Sequence, residues 1–315
     1  MNRLFRNIGW LLGGRGVNAA LSLVYLALAT RTLGLESFGY FALIIALGQT
    51  VTGLASFQTW QFVVRWGAGP EGPGEATGFA IALDLLSLLF GALLAAALVW
   101  TAQFWLPLPD ELLWVAFAYC IISLGAIRAT PTGLLRLKFH FGRATAAEAI
   151  QPVVRALGAT LAAIYMPNVV AFVAVWALSE IAVAAALWAT AAWTQKIDLS
   201  QISLRRIPRD HPGAWRFVWS TNMTAILNVG AKQVMILLVG AIGGEALAGA
   251  FRVASQLGQA LVQLAQAVSK AIYPELVHAA GNAHMIARRM ANIALIGGVI
   301  ATWGPIKEFL RGVLK

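Results

Sequence analysis

Apolar and polar positions alternate along the chain in long blocks. Nine apolar windows, at about residues 8–31, 38–65, 78–105, 112–134, 147–165, 169–194, 216–241, 246–272 and 289–304, are long enough, or nearly so, to cross a bilayer. A membrane-spanning helix needs about 20 mostly apolar residues. The separators are rich in turn formers: Gly67 to Glu75 with its Gly and Pro residues, Leu106-Pro107-Leu108-Pro109-Asp110, and Met166-Pro167-Asn168. The longest polar stretch runs from Lys196 to Trp215. Such a pattern predicts an all-α polytopic membrane protein with about nine transmembrane helices.

Composition excludes the soluble alternative. Of 315 residues, 59% are hydrophobic and only 11% charged, against about 25% charged in ordinary soluble domains. The first window follows Arg3 and Arg6 as a signal peptide would, but it is too long and carries Arg15 and Asn18, so it reads as a retained first helix. One cysteine, Cys120, allows no disulfide framework, and the four histidines have no metal-ligand spacing. No cofactor is expected.

The net charge of +10 has a topological reading. With the N-terminus inside, fourteen of the 23 basic residues fall on the inner side, among them Arg65, Arg136, Lys138, Arg143, Arg205, Arg206 and Arg209, while the outer loops through helix eight hold only Arg31. Glu36, Asp110, Glu111 and Glu245 also lie outside. Cytoplasmic loops collect Lys and Arg, so the charge orients the chain without a nucleic-acid partner. The tail departs from the rule: Lys307, Arg311 and Lys315 emerge outside after a short ninth window that stops at Gly304-Pro305.

An internal repeat bears on that departure. Gly34-Leu35-Glu36-Ser37-Phe38-Gly39-Tyr40-Phe41 resembles Gly243 to Phe251 with one insertion, and both copies continue to a matching Leu-Gly-Gln, at 47–49 and 257–259, with an offset of 210. Helices one and two thus correspond to helices seven and eight, in the same orientation. The expected domains are a six-helix N-terminal lobe, 1–200, and a partial C-terminal lobe, 201–315, of three helices. On this reading the chain is about three quarters of a two-lobed protein.

Five cations fall within the predicted spans: Arg15, Arg128, Arg155, Lys232 and Arg252. Each costs about 2.5–3.5 kcal/mol at mid-helix on insertion scales. Arg15 and Arg128 near inner ends, and Lys232 and Arg252 toward the outer side, can snorkel; Arg155, near the middle of helix five, is the hardest to place that way. Only Asp84 and Glu180 are clearly intramembrane acids. A net-positive lumen suits an anionic ligand such as a phosphate or pyrophosphate, unless the two acids neutralise two of the cations.

Helix eight carries a polar stripe. Arg252, Gln256, Gln259, Gln263, Gln266 and Lys270 keep to one face at helical spacing, and Gln49, Thr52, Ser56 and Thr59 form a weaker equivalent on helix two. Such residues also bond helices to one another in bilayers, but an uninterrupted stripe reads better as a conduit wall. Trp60, Trp66, Trp100, Trp105, Trp193, Trp215 and Trp219 cluster near span ends as an interfacial belt. Gly13-Gly14-Arg15-Gly16 lacks the preceding strand and the following Gly-Lys-Ser/Thr of a phosphate loop and reads as a helix-packing site.

Leu4-Phe5-Arg6-Asn7, Arg15-Gly16, and above all the Leu-Gly-x-x-x-Phe-Gly turn from Leu33 to Gly39 resemble the polysaccharide flippase family. This is the oligosaccharidyl-lipid branch of the multidrug/oligosaccharidyl-lipid/polysaccharide exporter superfamily. The resemblance implies paired six-helix lobes around a central cavity that opens alternately to the two sides of the bacterial cytoplasmic membrane. It further implies a polyprenyl-pyrophosphate-linked oligosaccharide as cargo, for O-antigen, capsule or exopolysaccharide assembly. Basic lumen residues engage the pyrophosphate, with Arg15, Arg155, Lys232 and Arg252 as the position-based candidates here, and a polysaccharide polymerase is an expected partner besides the lipids. Members of that family have twelve or more helices, more than this chain supplies.

Three other readings compete. A cation-coupled multidrug exporter would use Asp84 or Glu180 as ion carrier, but the lumen has the wrong charge sign for cationic drugs. A membrane glycosyl or phosphoglycosyl transferase would need clustered carboxylates, and those here are scattered. A non-transporting assembly subunit is credible because of the missing helices.

Overall fold

A computed structural model describes residues 2–69 and 72–278, with side chains over 21–22, 24–69, 72–209, 211–227 and 232–259. The ninth predicted window, 289–304, lies outside the described residues, as does the basic tail. The elements are α1 (Asn2–Ala55), α2 (Thr59–Gly67), α3 (Gly72–Trp105), α4 (Asp110–Gly125), α5 (Ala129–Leu137), α6 (Phe141–Glu148), α7 (Ile150–Tyr165) and α8 (Val169–Thr194). A 3-10 turn (Leu199–Gln201), α9 (Arg206–Asp210), α10 (Gly213–Val229), a π-helical segment (Gly230–Val234) and α11 (Met235–His278) follow. No strand occurs among the described residues, as expected where lipid leaves backbone polar groups only one another as partners.

Six helical runs among the described residues are long and apolar enough to cross a membrane: 24–67, 72–105, 110–137, 141–165, 169–194 and 213–259. The protein is a polytopic all-α membrane protein. The count differs from nine because predicted spans one and two, and seven and eight, are joined without a loop, and the ninth lies outside the described residues. A run of 44 residues would extend roughly 66 Å at 1.5 Å per residue, about twice the ~30 Å hydrocarbon core. Each joined run turns at one glycine: Gly34, with φ 74° and ψ 174°, and Gly244, with φ 82° and ψ 176°. Only glycine occupies that region readily. Gly34 and Gly244 are 210 positions apart, so the two copies of the repeat share their kink, and the offset needs no insertion.

Proline divides other spans. Pro131 and Pro152 stand in the first turns of α5 and α7, where a missing N–H is tolerated but the preceding helix cannot be continued. The Ile127 carbonyl, which residue 131 would otherwise satisfy, instead accepts from Trp188 Nε1 at 2.9 Å. The predicted Met166-Pro167-Asn168 turn ends in an N-cap, where Asn168 accepts from the Ala171 N–H at 2.9 Å. Such a cap contributes about 1 kcal/mol.

Two compact units result: Val17–Ser255, and a second drawn from Met1–Gly16 with residues from Gln256 onward. In the first, α7 packs on α8, α2 on α5, and α3 on both α2 and α4. Its main core gathers Phe38, Phe41, Tyr119, Phe172 and Trp176 around the second half of α1. Phe41 and Tyr25 both meet the Trp176 ring edge-on at 4.8 Å. A separate cluster seats Ile207 of the long polar linker, with Ala214 and Val218, against Phe62, Trp66 and Phe79.

The two repeat copies also touch. A Cβ on Gly39 would overlap the carbonyl of Glu245, and one on Gly249 would lie 3.1 Å from Gly39 N and 3.2 Å from the Leu35 carbonyl. Since 35 and 245, and 39 and 249, are repeat equivalents, the crossing is reciprocal. This is the geometry of a twofold contact.

Candidate functional site

The site is built on the face that α7 turns toward α8. Gln151 and Arg155, one helical turn apart, lie on one side of α7 and meet Trp176, Ser179 and Glu180. Arg155 Nη2 lies 2.7 Å from Glu180 Oε1, which also accepts from Gln151 Nε2 at 2.9 Å. Arg155 Nε donates to Ser179 Oγ at 2.9 Å, and Ser179 in turn donates to the Trp176 carbonyl at 2.7 Å. The guanidinium also stands 4.9 Å from the centre of the Trp176 ring, a cation–π contact. Each donor on one side of the Arg155 fork therefore has a partner, which fixes the group in space.

The second carboxylate oxygen of Glu180 belongs to another arginine. Arg128 Nη2 lies 2.7 Å from Oε2. Glu180 is 5% exposed while Arg128 is 38% exposed, so the pair spans from the packed interior to an open space. That space is a cavity of about 550 Å³. Gln49, Thr52 and Gly53 line it from α1, and Tyr119 and Ser123 from α4. Arg128, Glu180 and, from the π-helical segment, Lys232 and Gln233 complete the wall. The buried side-chain oxygens of Thr52 and Gln233 have no hydrogen-bond partner among the described residues.

Arg252 is buried at 9% exposure on α11. Arg128 and Arg155 thus share one buried carboxylate, and Lys232 lines the same cavity. The arrangement can hold an anion, because two guanidiniums share one carboxylate and leave a net positive charge. By contrast, a 450 Å³ groove between α3 and α4 is walled by Val99, Trp100, Trp114 and Phe117, and its charged lining residue, Asp110, would repel one.

The sequence-predicted residues distribute as follows. Gln49, Glu180 and Lys232 line the cavity, Arg155 pairs with Glu180 beside it, and Arg252 is buried on α11. Gln256 and Gln259 belong to the other compact unit. The side chains of Arg15, Gln263, Gln266 and Lys270 lie outside the described residues. Asp84 is elsewhere: its carboxylate accepts from Thr59 Oγ1 and Thr130 Oγ1 between α2, α3 and α5. Among the described residues no group of three or more His, Cys, Asp or Glu is placed to hold a metal ion.

Sequence reasoning left Arg128 as a snorkelling residue and did not single out Gln151, Ser179, Tyr119 or Gln233. Arg128 had a signal. Pro131 falls three positions later inside an apparently continuous window, and the break it causes sets Arg128 at the head of α5.

Comparisons with known proteins agree with this architecture. The polysaccharide biosynthesis protein family matches residues 4–279. The chain is 28% identical over 284 residues to the inner membrane protein YghQ of Escherichia coli (strain K12), covering 87% of this chain and 80% of that one. No solved structure matches. With its apolar helices, its kinked repeat and a family match over most of its length, the chain belongs to the polysaccharide biosynthesis protein family of membrane proteins.

Proposed function

We propose that this protein is a flippase. It moves a polyprenyl-pyrophosphate-linked oligosaccharide across the bacterial cytoplasmic membrane, with the N-terminus on the cytoplasmic side, and feeds a polysaccharide polymerase or an equivalent assembly enzyme. The observation that carries this reading is the charge at the cavity wall, where Arg128 and Arg155 share the carboxylate of Glu180 and Lys232 lines the same space. In a membrane interior several cations persist only where a ligand or water-filled space uses them. A pyrophosphate offers oxygens enough for several guanidinium contacts, and Thr52 and Gln233 add neutral groups suited to phosphate or sugar hydroxyls. The wall has the wrong sign for a cationic drug, and among the described residues no clustered carboxylates support a transferase.

Alternating access needs two lobes that rock against each other. The repeat-equivalent kinks at Gly34 and Gly244 and the reciprocal crossing at Gly39 and Gly249 supply a symmetric contact for such a motion. The test is complementation of glycan export in a strain lacking the protein. Arg155→Ala with Arg252→Ala is expected to abolish export while membrane insertion persists; unchanged export in the double variant overturns the assignment.

A further inference from the structure

Asp84 lies within the apolar span 72–105 and is of a different kind from Glu180. Its partners are uncharged. Thr59 Oγ1 lies 3.1 Å from Oδ1, Thr130 Oγ1 contacts Oδ2, and the two hydroxyl oxygens are 3.2 Å apart. Thr59 and Thr130 are essentially inaccessible and Asp84 nearly so. The charged groups on the elements packed around it are committed elsewhere. Arg65 of α2 stacks on Trp66 and Phe217, Arg136 of α5 stacks on Trp60, and Arg128 pairs with Glu180. Glu75 opens α3, Asp110 and Glu111 open α4, and Arg205, Arg206 and Arg209 belong to the linker and α9; the contacts of the Asp84 carboxylate are instead with Thr59 and Thr130.

Counting hydrogens decides what the carboxyl carries. Three oxygen–oxygen contacts close a ring: Thr59 to Asp84, Thr130 to Asp84, and Thr130 to Thr59. Three contacts need three hydrogens, and two threonines supply two. The third fits on Asp84 itself, so that Asp84 donates to Thr130, Thr130 to Thr59, and Thr59 back to Asp84. A bare carboxylate would leave one contact without a hydrogen and an uncompensated charge in the apolar interior. A sodium ion would have to separate oxygens that are already in hydrogen-bond contact.

We propose that Asp84, Thr59 and Thr130 form a buried proton site that links protonation to the shape of the cavity. Thr59 is the first residue of α2, directly after the break at 56–58, and Thr130 is in the first turn of α5, directly after the break at 126–128. Thr52 and Gly53 on one side and Arg128 on the other line the cavity just ahead of those breaks. When the Asp84 O–H bond ionises, its proton leaves to water. The Thr130 hydroxyl then turns from Thr59 to the carboxylate, and the bond joining the two helix starts is lost. The link to transport rests on the proposed flippase function; the proton site does not.

The test is infrared difference spectroscopy of the full chain in lipid nanodiscs. Wild type is expected to show a protonated-carboxyl carbonyl band at neutral pH that is lost in Asp84→Asn and unaffected by sodium. Thr130→Val, which keeps Asp84 but opens the ring, is expected to shift that band. Absence of the band from wild type at neutral pH, its persistence in Asp84→Asn, or its loss on adding sodium overturns the proton site. In a second arm, a polyprenyl pyrophosphate is added with a pH-sensitive dye, and wild type is expected to exchange a proton where Asp84→Asn does not. Binding without proton exchange overturns the link to transport. Failure of wild type to bind this lipid counts against the proposed substrate and leaves the infrared result standing.

Discussion

Arg155 and Glu180 face each other at 2.7 Å between α7 and α8, with Glu180 at the same distance from Arg128. One carboxylate therefore holds two guanidiniums in fixed positions, and its removal frees two charges at once. Removing one partner of a buried ion pair typically costs about 3–5 kcal/mol. Glu180→Ala is accordingly expected to lower the thermal unfolding midpoint of the purified protein more than Arg128→Ala, whose side chain is partly exposed. A double-mutant cycle between Arg155 and Glu180 is expected to show strong coupling, with the pair replacement less damaging than the sum of the singles. Additive single effects would mean that the pair carries no net interaction.

The crossing of the repeats predicts an asymmetry between two glycines. Gly39→Ala sets a methyl group into the Glu245 backbone, which cannot give way as a side chain end would, whereas Gly249→Ala meets contacts of 3.1–3.2 Å. Folded protein recovered from membranes is expected to fall sharply for the first and modestly for the second. Equal recovery would indicate that the helices separate easily at this point.

Much of this architecture was legible in the sequence, and the reason is physical. Apolar runs and the Gly-Pro punctuation between them follow directly from the bilayer's thickness and its lack of hydrogen-bond partners. The repeat of 34–41 at 243–251 was visible as matching residues, though the kink shared by Gly34 and Gly244 was not. Arg155 stood out as a charge in mid-span. What the pattern hid were the joins and breaks. A kink at a single glycine needs no loop, so spans one and two run on as one helix. The break before α5 required weighing Pro131 against an apolar window that otherwise looked continuous. The Glu180 network depends on which faces of α7 and α8 meet, and periodicity within each helix does not specify that.

Cys120 offers a native reporter of this packing. It is completely buried in the main core. A membrane-permeable maleimide is expected to leave it unmodified in the folded protein and to label it once denaturant opens the α4 packing. Fast labelling under native conditions would contradict the burial.

The proposed orientation rests on the distribution of basic residues. Cysteines placed at Lys138 and at Asp110, in a Cys120→Ala background, are expected to react from opposite sides of the membrane, the first from the cytoplasm. Reaction of both with an impermeant reagent applied outside would reverse or break the assigned topology.

Ligand charge is the most direct test of the central claim. Binding of a polyprenyl pyrophosphate to the full chain in nanodiscs should be compared with that of a lipophilic cation of similar size, in wild type and in Arg128→Gln with Arg155→Gln. Charge-assisted hydrogen bonds contribute about 1.5–3 kcal/mol each, so the double variant is expected to bind the pyrophosphate lipid at least about tenfold more weakly, and wild type is expected to reject the cation. Unchanged pyrophosphate affinity in the double variant, or preferential binding of the cation by wild type, would contradict an anion-binding cavity.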